Sequence, residues 1–283
     1  MAEILVDALK RIEKYKITSP HYSDLFEILS DILILREECR HKMRELAFPL
    51  DEKLIAKKLA GGLPLLDFTA GDFDLTMAKD YFLHLLEIAE KRMPGETSGF
   101  VRRIKEGEIV FEDLIRSSFD PEAGEEFTRD ADGDAIDDED AFDLVELFVE
   151  ESLRPALENF AEKYGGIIDA SGWSEGYCPI CGKEPKIGEI KGDEDSRFLF
   201  CNQCGFEWNY SRVKCPFCGN EEQHSLAYFT VEGEERYRVD VCNVCKRYVK
   251  IVDFRDSGEK VNLDVEDIAT LHLDMLASEE GYE

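Results

Sequence analysis

Nowhere does this sequence contain a run of about 18 consecutive apolar residues, so a transmembrane helix is not expected. Its opening stretch, Met1-Ala2-Glu3-Ile4-Leu5-Val6-Asp7, lacks the basic start and the apolar core of a secretory signal. A soluble, cytoplasmic chain without a membrane partner is the expectation. Positive charge is scarce: 34 Lys and Arg stand against 63 Asp and Glu, for a formal net charge of −29. Such a surface repels phosphate backbones, and no nucleic-acid partner is expected. No Gly-rich phosphate loop and no Gly-x-Ser-x-Gly elbow occurs, and neither His224 nor His272 has a nucleophile or a paired carboxylate beside it. No residue is assigned a catalytic role, and an enzyme is not expected.

What is present divides the chain in two. With 43% hydrophobic residues over 283 positions a sizeable core is possible. Residues 1–166 read as a helical domain. After Ser19-Pro20, the residues Tyr22, Leu25, Phe26, Leu29, Ile32, Leu33, Cys39 and Met43 recur at helical spacing and predict one helix from about Pro20 to Leu46. A second is expected from Asp74, with Ala78, Phe82, Leu85, Ala89 and Met93 on one face, stopping at Pro94-Gly95. A third starts near Asp140 and carries Val145, Phe148, Ala156, Phe160 and Tyr164, with a kink or break at Pro155 and an end at Gly165-Gly166. Shorter pieces fit Glu52–Ala60, Gly99–Lys105 and Ile109–Ser117. Asp130, Asp132 and Asp134 have the first spacings of a calcium loop, but Ala135 and Ala141 stand where such a loop needs Gly and Glu, so a solvated acidic loop is expected.

Beyond Gly166 the pattern changes to short apolar runs, Arg197–Phe200, Leu226–Thr230 and Tyr248–Val252, which predict strands. The last segment, Val265–Ala277, returns to helical spacing. Between these runs lie four Cys-x-x-Cys pairs: Cys178/Cys181, Cys201/Cys204, Cys215/Cys218 and Cys242/Cys245. A tight turn at each pair aims two sulfurs at one point, and Gly182, Gly205 and Gly219 follow three of the pairs, where positive φ closes the turn. Two pairs about twenty residues apart match a zinc-ribbon or rubredoxin-like site, and here that arrangement occurs twice. In a reducing compartment these are metal ligands rather than disulfides. Sequential pairing puts Cys178, Cys181, Cys201 and Cys204 on one ion and Cys215, Cys218, Cys242 and Cys245 on the other, and spacing alone also allows a cross-braced pairing of first with third and second with fourth. Zinc is the favoured occupant, and rubredoxin-type iron also fits four sulfurs. The expected architecture is α+β and multidomain: the helical bundle, a first metal domain at 171–212, a second at 213–263 and a terminal helix at 264–283.

The residues around these cysteines carry a more specific likeness. Gly176-Tyr177 before CPICG, Arg197–Phe200 before CNQCGFEW, Arg212-Val213-Lys214 before CPFCGN, and Cys242–Lys250 together resemble the formate dehydrogenase accessory protein family, FdhE. The segment Asp267–Asp274 followed by Glu280-Gly281-Tyr282 is similar to that family's C-terminal signature. The resemblance implies a cytoplasmic assembly factor with rubredoxin-like metal sites and no reaction of its own. It also implies a protein partner, the molybdenum- or tungsten-containing catalytic subunit of formate dehydrogenase, bound before or during maturation and export.

Two rival readings start from the same residues. A rubrerythrin-like iron oxidoreductase would precede its rubredoxin domain with a di-iron bundle carrying two Glu-x-x-His motifs; the chain offers one, Glu38 to His41, while His84 has Tyr81 at the Glu position. A nucleic-acid-binding zinc ribbon would need a basic excess, but residues 171–283 hold 13 basic against 23 acidic residues.

Overall fold

The computed structural model describes residues 3–43, 48, 50–68, 73–92, 98–119, 139–192, 196–257 and 260–283. Its helices before the cysteine array are α1 (Glu3–Thr18), α2 (Ser23–Lys42), α3 (Ile55–Ala60), α4 (Thr76–Arg92), α5 (Ser98–Lys105), α6 (Phe111–Phe119) and α7 (Glu139–Ala170). In α2, Phe26, Leu29, Ile32, Leu33, Arg36 and Cys39 are buried at spacings of three and four, which is one face of a helix. Pro20 opens a single 3-10 turn instead of the helix itself, so α2 begins at Ser23. The α1 helix was not among the expected elements, although Leu5, Ala8 and Ile12 repeat at the same spacing and are buried.

The longest helix, α7, runs through Pro155 without a break and past Gly165-Gly166 to Ala170. Proline in a helix interior removes one backbone hydrogen bond and costs about 3 kcal/mol or more. The surrounding burial offsets that cost: Phe148, Val149, Leu153, Ala156, Leu157, Phe160 and Ile168 are all in the core. The expected stop at the glycine pair fails for a related reason. A Cβ on Gly165 would lie 3.3 Å from the Phe206 ring, so this glycine serves a close approach between elements. The acidic segment from Asp130 to Glu139, apart from the first residue of α7, lies outside the described residues.

The C-terminal third forms six strands: β1 (Ile187–Lys191), β2 (Ser196–Phe200), β3 (Glu207–Asn209), β4 (Leu226–Phe229), β5 (Tyr237–Cys242) and β6 (Tyr248–Val252). They make one sheet in the order β3-β2-β1-β6-β5-β4. Each half is a three-stranded antiparallel ribbon, and the halves join through a parallel pairing of β1 with β6, Ile187 opposite Lys250 and Glu189 opposite Val252. Gly188 suits this central position between two strands, because a Cβ there would fall 2.5 Å from the Phe198 carbonyl oxygen of β2 and 3.2 Å from the Ile251 side chain of β6. The terminal helix expected over Val265–Ala277 is two helices, α8 (Leu263–Ala269) and α9 (Leu271–Glu279), parted at Thr270. Asn262 caps α8 by accepting from the Val265 amide at 3.1 Å.

One apolar cluster runs from the helical region into the first ribbon, taking in Phe82, Leu85, Leu153 and Leu157 together with Ile180, Leu199 and Trp208. A smaller cluster seats β5 against α9 through Val239, Val241, Leu273 and Ala277. The fold is therefore a mixed one, a helical body joined to a sheet that carries the cysteine array. Among the described residues, no helix is long and apolar enough to cross a membrane.

Candidate metal centres

All four Cys-x-x-Cys turns have the same backbone. The first cysteine of each pair donates its amide to the carbonyl five residues on and accepts from the amide four residues on: Cys178 to Lys183 at 2.9 Å, Cys201 to Phe206 at 2.9 Å, Cys215 to Asn220 at 2.8 Å and Cys242 to Arg247 at 3.0 Å. The residue that closes each turn has positive φ. It is Gly182 (79°), Gly205 (71°) and Gly219 (71°) in three turns, and Lys246 (62°) in the fourth.

These turns bring the sulfurs together in two groups, Cys178, Cys181, Cys201 and Cys204 in one and Cys215, Cys218, Cys242 and Cys245 in the other, with all ligand atoms of each group within 4.8 Å of one another. Sequential pairing is thus the arrangement adopted, and the cross-braced one is not. A regular tetrahedron with metal–sulfur arms of about 2.3 Å has edges of about 3.8 Å. The measured separations of 3.7 Å for Cys215–Cys245 and Cys218–Cys242 match that edge, and 3.4 Å for Cys178–Cys204 and 3.5 Å for Cys181–Cys201 are slightly shorter. A disulfide would need a bond of about 2.05 Å. Both groups could hold a metal ion, and the donor set suits a thiophilic one.

Electrostatics make the same case. Burial pushes the Cys181 and Cys204 thiols well above the ordinary value, and Cys215 up to about 12. Cys201 goes the other way: burial opposes its ionisation, but hydrogen bonds from the Cys178, Cys181 and Cys204 thiols outweigh it. At Cys242 burial again opposes, and the Cys245 and Val244 amides together with neighbouring thiols bring it down to about 7. A divalent cation at the centre of each group would favour the thiolate form of its ligands.

The two sites differ in their surroundings. All four cysteines of the first are buried, whereas in the second Cys218 is exposed and Cys245 partly so. The first is fixed to the helical body by direct bonds: the Leu65 and Leu66 amides donate to the Pro179 and Ile180 carbonyls at 2.9 and 2.8 Å, and Gln203 Nε2 donates to the Glu150 carbonyl at 2.6 Å. Arg154, one residue before the α7 proline, donates to the carbonyls of Cys201 and Asn202. Its guanidinium also meets Asp264 at 3.1 Å, and Asp264 accepts from Arg36 at 2.8 Å. Arg36 in turn grips Glu151 through two bonds of 2.7 Å, and Glu151 accepts from Tyr81 at 2.8 Å. This buried chain of charges ties α2, α4, α7, α8 and the first site together. Sequence reasoning missed it; Glu151 and Arg154 share their stretch of α7 with Glu150 and Ser152, so the local sequence does not single them out as a buried pair. It also missed the partner of His272, which is Glu234 at 2.7 Å.

Trp208 is buried in the same cluster as the first site's cysteines, and its Nε1 donates to the Glu175 carbonyl at 3.2 Å. Among the described residues the two four-cysteine groups are the sole places where three or more Cys, His, Asp or Glu ligand atoms converge. Glu38, His41 and His84 do not assemble into a di-iron site, and His84 Nδ1 lies 2.8 Å from the Asp80 carbonyl of its own helix. Cys39 is buried in α2, away from both groups.

Comparison with known proteins agrees with this arrangement. Family models described as the FdhE central domain and the FdhE C-terminal domain match residues 177–212 and 213–283. A protein from Aquifex aeolicus named as an FdhE homolog is 32% identical over 281 residues, covering 97% of this chain and 91% of the relative. This chain belongs to the FdhE family. The FdhE protein of Salmonella arizonae is 35% identical over 109 residues, covering 38% of this chain and 34% of the relative. The crystal structure of the FdhE protein from Pseudomonas aeruginosa superimposes with a TM-score of 0.70 at 21% identity, covering 99% of this chain and 92% of that one, so the FdhE fold extends through the helical region.

Proposed function

We propose that this FdhE-family chain is a cytoplasmic assembly factor that binds the catalytic subunit of formate dehydrogenase during that enzyme's maturation and performs no reaction of its own. In this reading the eight cysteines are the ligands of two metal ions, zinc in each, with rubredoxin-type iron as the alternative occupant. Residues 171–212 and 213–263 are then two ribbon units, each built on one ion, between a helical domain at 1–166 and a terminal helical segment at 264–283.

The observation that carries this reading is the closure of both sulfur cages. Four protein sulfurs fill a tetrahedral ion, leaving no position for water or substrate, and so the ions act as staples. Small ribbons bury too little core to hold their shape alone, and a structural ion supplies the missing stability. The result is a rigid sheet presented to a partner, with a helical body behind it.

The test is capture of the purified catalytic subunit by immobilised chain. Wild type should retain it, and a Cys178→Ser/Cys215→Ser variant whose helical region keeps its circular dichroism should retain it at least about tenfold less, a change of about 1.4 kcal/mol. Equal retention by the two would remove the ribbons from the interaction.

A further inference from the structure

In a chain of net charge −29, one face of the sheet is locally basic. Alternation along β5 places Val239 and Val241 toward α9 and Arg238, Asp240 and Cys242 on the opposite face. Tyr228 pairs with Asp240 across β4 and β5 and shares that face. Above it lies a cavity of about 410 Å³, walled by the segment that links the two ribbons and leads to Cys215. Arg197, Arg212, Lys214, Arg238 and Arg247 line this cavity against a single lining carboxylate, Asp240.

That carboxylate is shared. Arg197 meets it at 3.1 Å and Arg238 at 2.8 Å. The Arg197 side chain is 2% exposed, yet its Nε has no hydrogen-bond partner. Burial lowers the Arg197 pKa, and Asp240 only partly offsets this. Its Nη2 donates to the Ser211 and Lys214 carbonyls, so the guanidinium is fixed in the cavity wall, where its charge favours an oxygen anion. Arg247 is otherwise engaged, held by Glu184 at 2.8 and 2.6 Å and stacked on Phe217 at 3.9 Å.

The rim narrows the choice of occupant. Tyr228 is 65% exposed with Arg238 over its ring at 5.4 Å, which gives an amphipathic wall. β4 is the outer strand of the sheet and offers unpaired backbone groups to an extended chain. The strongly negative remainder of the molecule repels a long polyphosphate, whereas a short acidic segment experiences mainly the local cations. We propose that this cleft between the ribbons binds a carboxylate of an extended, acidic-and-apolar polypeptide segment, seated beside β4. The choice of a polypeptide occupant rests on the partner-binding function proposed above; the anionic chemistry does not.

The experiment uses the full, metal-loaded chain and a fluorescein-labelled octapeptide of alternating acidic and apolar residues, read by fluorescence anisotropy. The acidic peptide should bind at least about tenfold more tightly than a twin in which every carboxylate is an amide, and Arg238→Gln should abolish that preference. Tyr228→Ala should weaken both peptides alike. No preference for the acidic peptide in wild type, or a preference that survives Arg238→Gln, overturns the proposal. So does loss of the second metal ion in Arg238→Gln, since the cations would then serve the adjacent thiolates. Displacement by inorganic phosphate or by single-stranded oligonucleotide as readily as by unlabelled peptide overturns the choice of occupant. Capture of the catalytic subunit separates the two ideas. Equal capture by wild type and Arg238→Gln counts against the cleft alone, and no capture beside normal peptide binding counts against the proposed partner alone.

Discussion

Asp264 is the residue on which two buried arginines converge. Burial resists its ionisation, but the Arg154 and Arg36 guanidiniums outweigh that and hold its pKa below the usual carboxylate value. Removing one partner of a buried charge network leaves the others uncompensated, at a cost of about 3–5 kcal/mol. Asp264→Asn should therefore lower the urea midpoint of the metal-loaded chain by a corresponding amount. Because the folded pKa is depressed, the stabilisation is complete above the unfolded value and disappears as pH falls through the folded one. The gap between wild type and Asp264→Asn should be full at neutral pH and close below about pH 4, and a gap independent of pH would contradict the assignment. None of this was readable from the local sequence around Asp264. A carboxylate in the first turn of a helix is usually an exposed favourable charge, and only the packing of α2 and α7 reveals its partners.

At the scale of elements, the turns that hold the cysteines were the most legible feature, because a Cys-x-x-Cys-Gly pattern dictates its own backbone. The glycines are not equivalent, however. A Cβ on Gly205 would come within 2.8 Å of the Arg154 guanidinium, while one on Gly219 meets nothing closer than 3.9 Å. Both substitutions carry the left-handed backbone cost of about 1–2 kcal/mol, but Gly205→Ala also displaces the arginine that braces the first site. Thermal melts should show Gly205→Ala losing more than Gly219→Ala; equal losses would mean that the Arg154 contact contributes nothing. Lys246 takes the same conformation in the fourth turn, so the Cys-x-x-Cys pair dictates that backbone even where no glycine follows it. Three strands were legible as apolar runs. β1, β3 and β5 were not, since Gly188 interrupts the first, the second has three residues, and β5 mixes Arg238 and Asp240 with its valines. The long helix defeated local rules in the opposite sense, because tertiary burial overrides a proline and two glycines.

For the molecule as a whole, the sequence divided correctly into helical and cysteine-rich texture, but it could not show that both ribbons share one sheet. That depends on a parallel pairing between strands some sixty residues apart in sequence, Ile187 with Lys250, and no local pattern encodes such a register. The consequence is an asymmetric pair of sites, the first sunk in the main core and the second near the surface. Chelator challenge should remove metal in two phases of equal amplitude, with Cys218 and Cys245 the first thiols to react with a maleimide. A single phase, or earlier labelling at Cys178 or Cys201, would contradict the difference in burial. Acidification should act in the same order, since thiolates must take up protons as metal leaves.

The most direct test is elemental analysis of protein purified without added metal, read against protein concentration. Two thiophilic ions per chain are expected, falling to one in Cys178→Ser and one in Cys218→Ser while the other site keeps its ion. A chain that carries no transition metal, leaves all eight thiols free to react and still holds its six-stranded sheet would contradict the account.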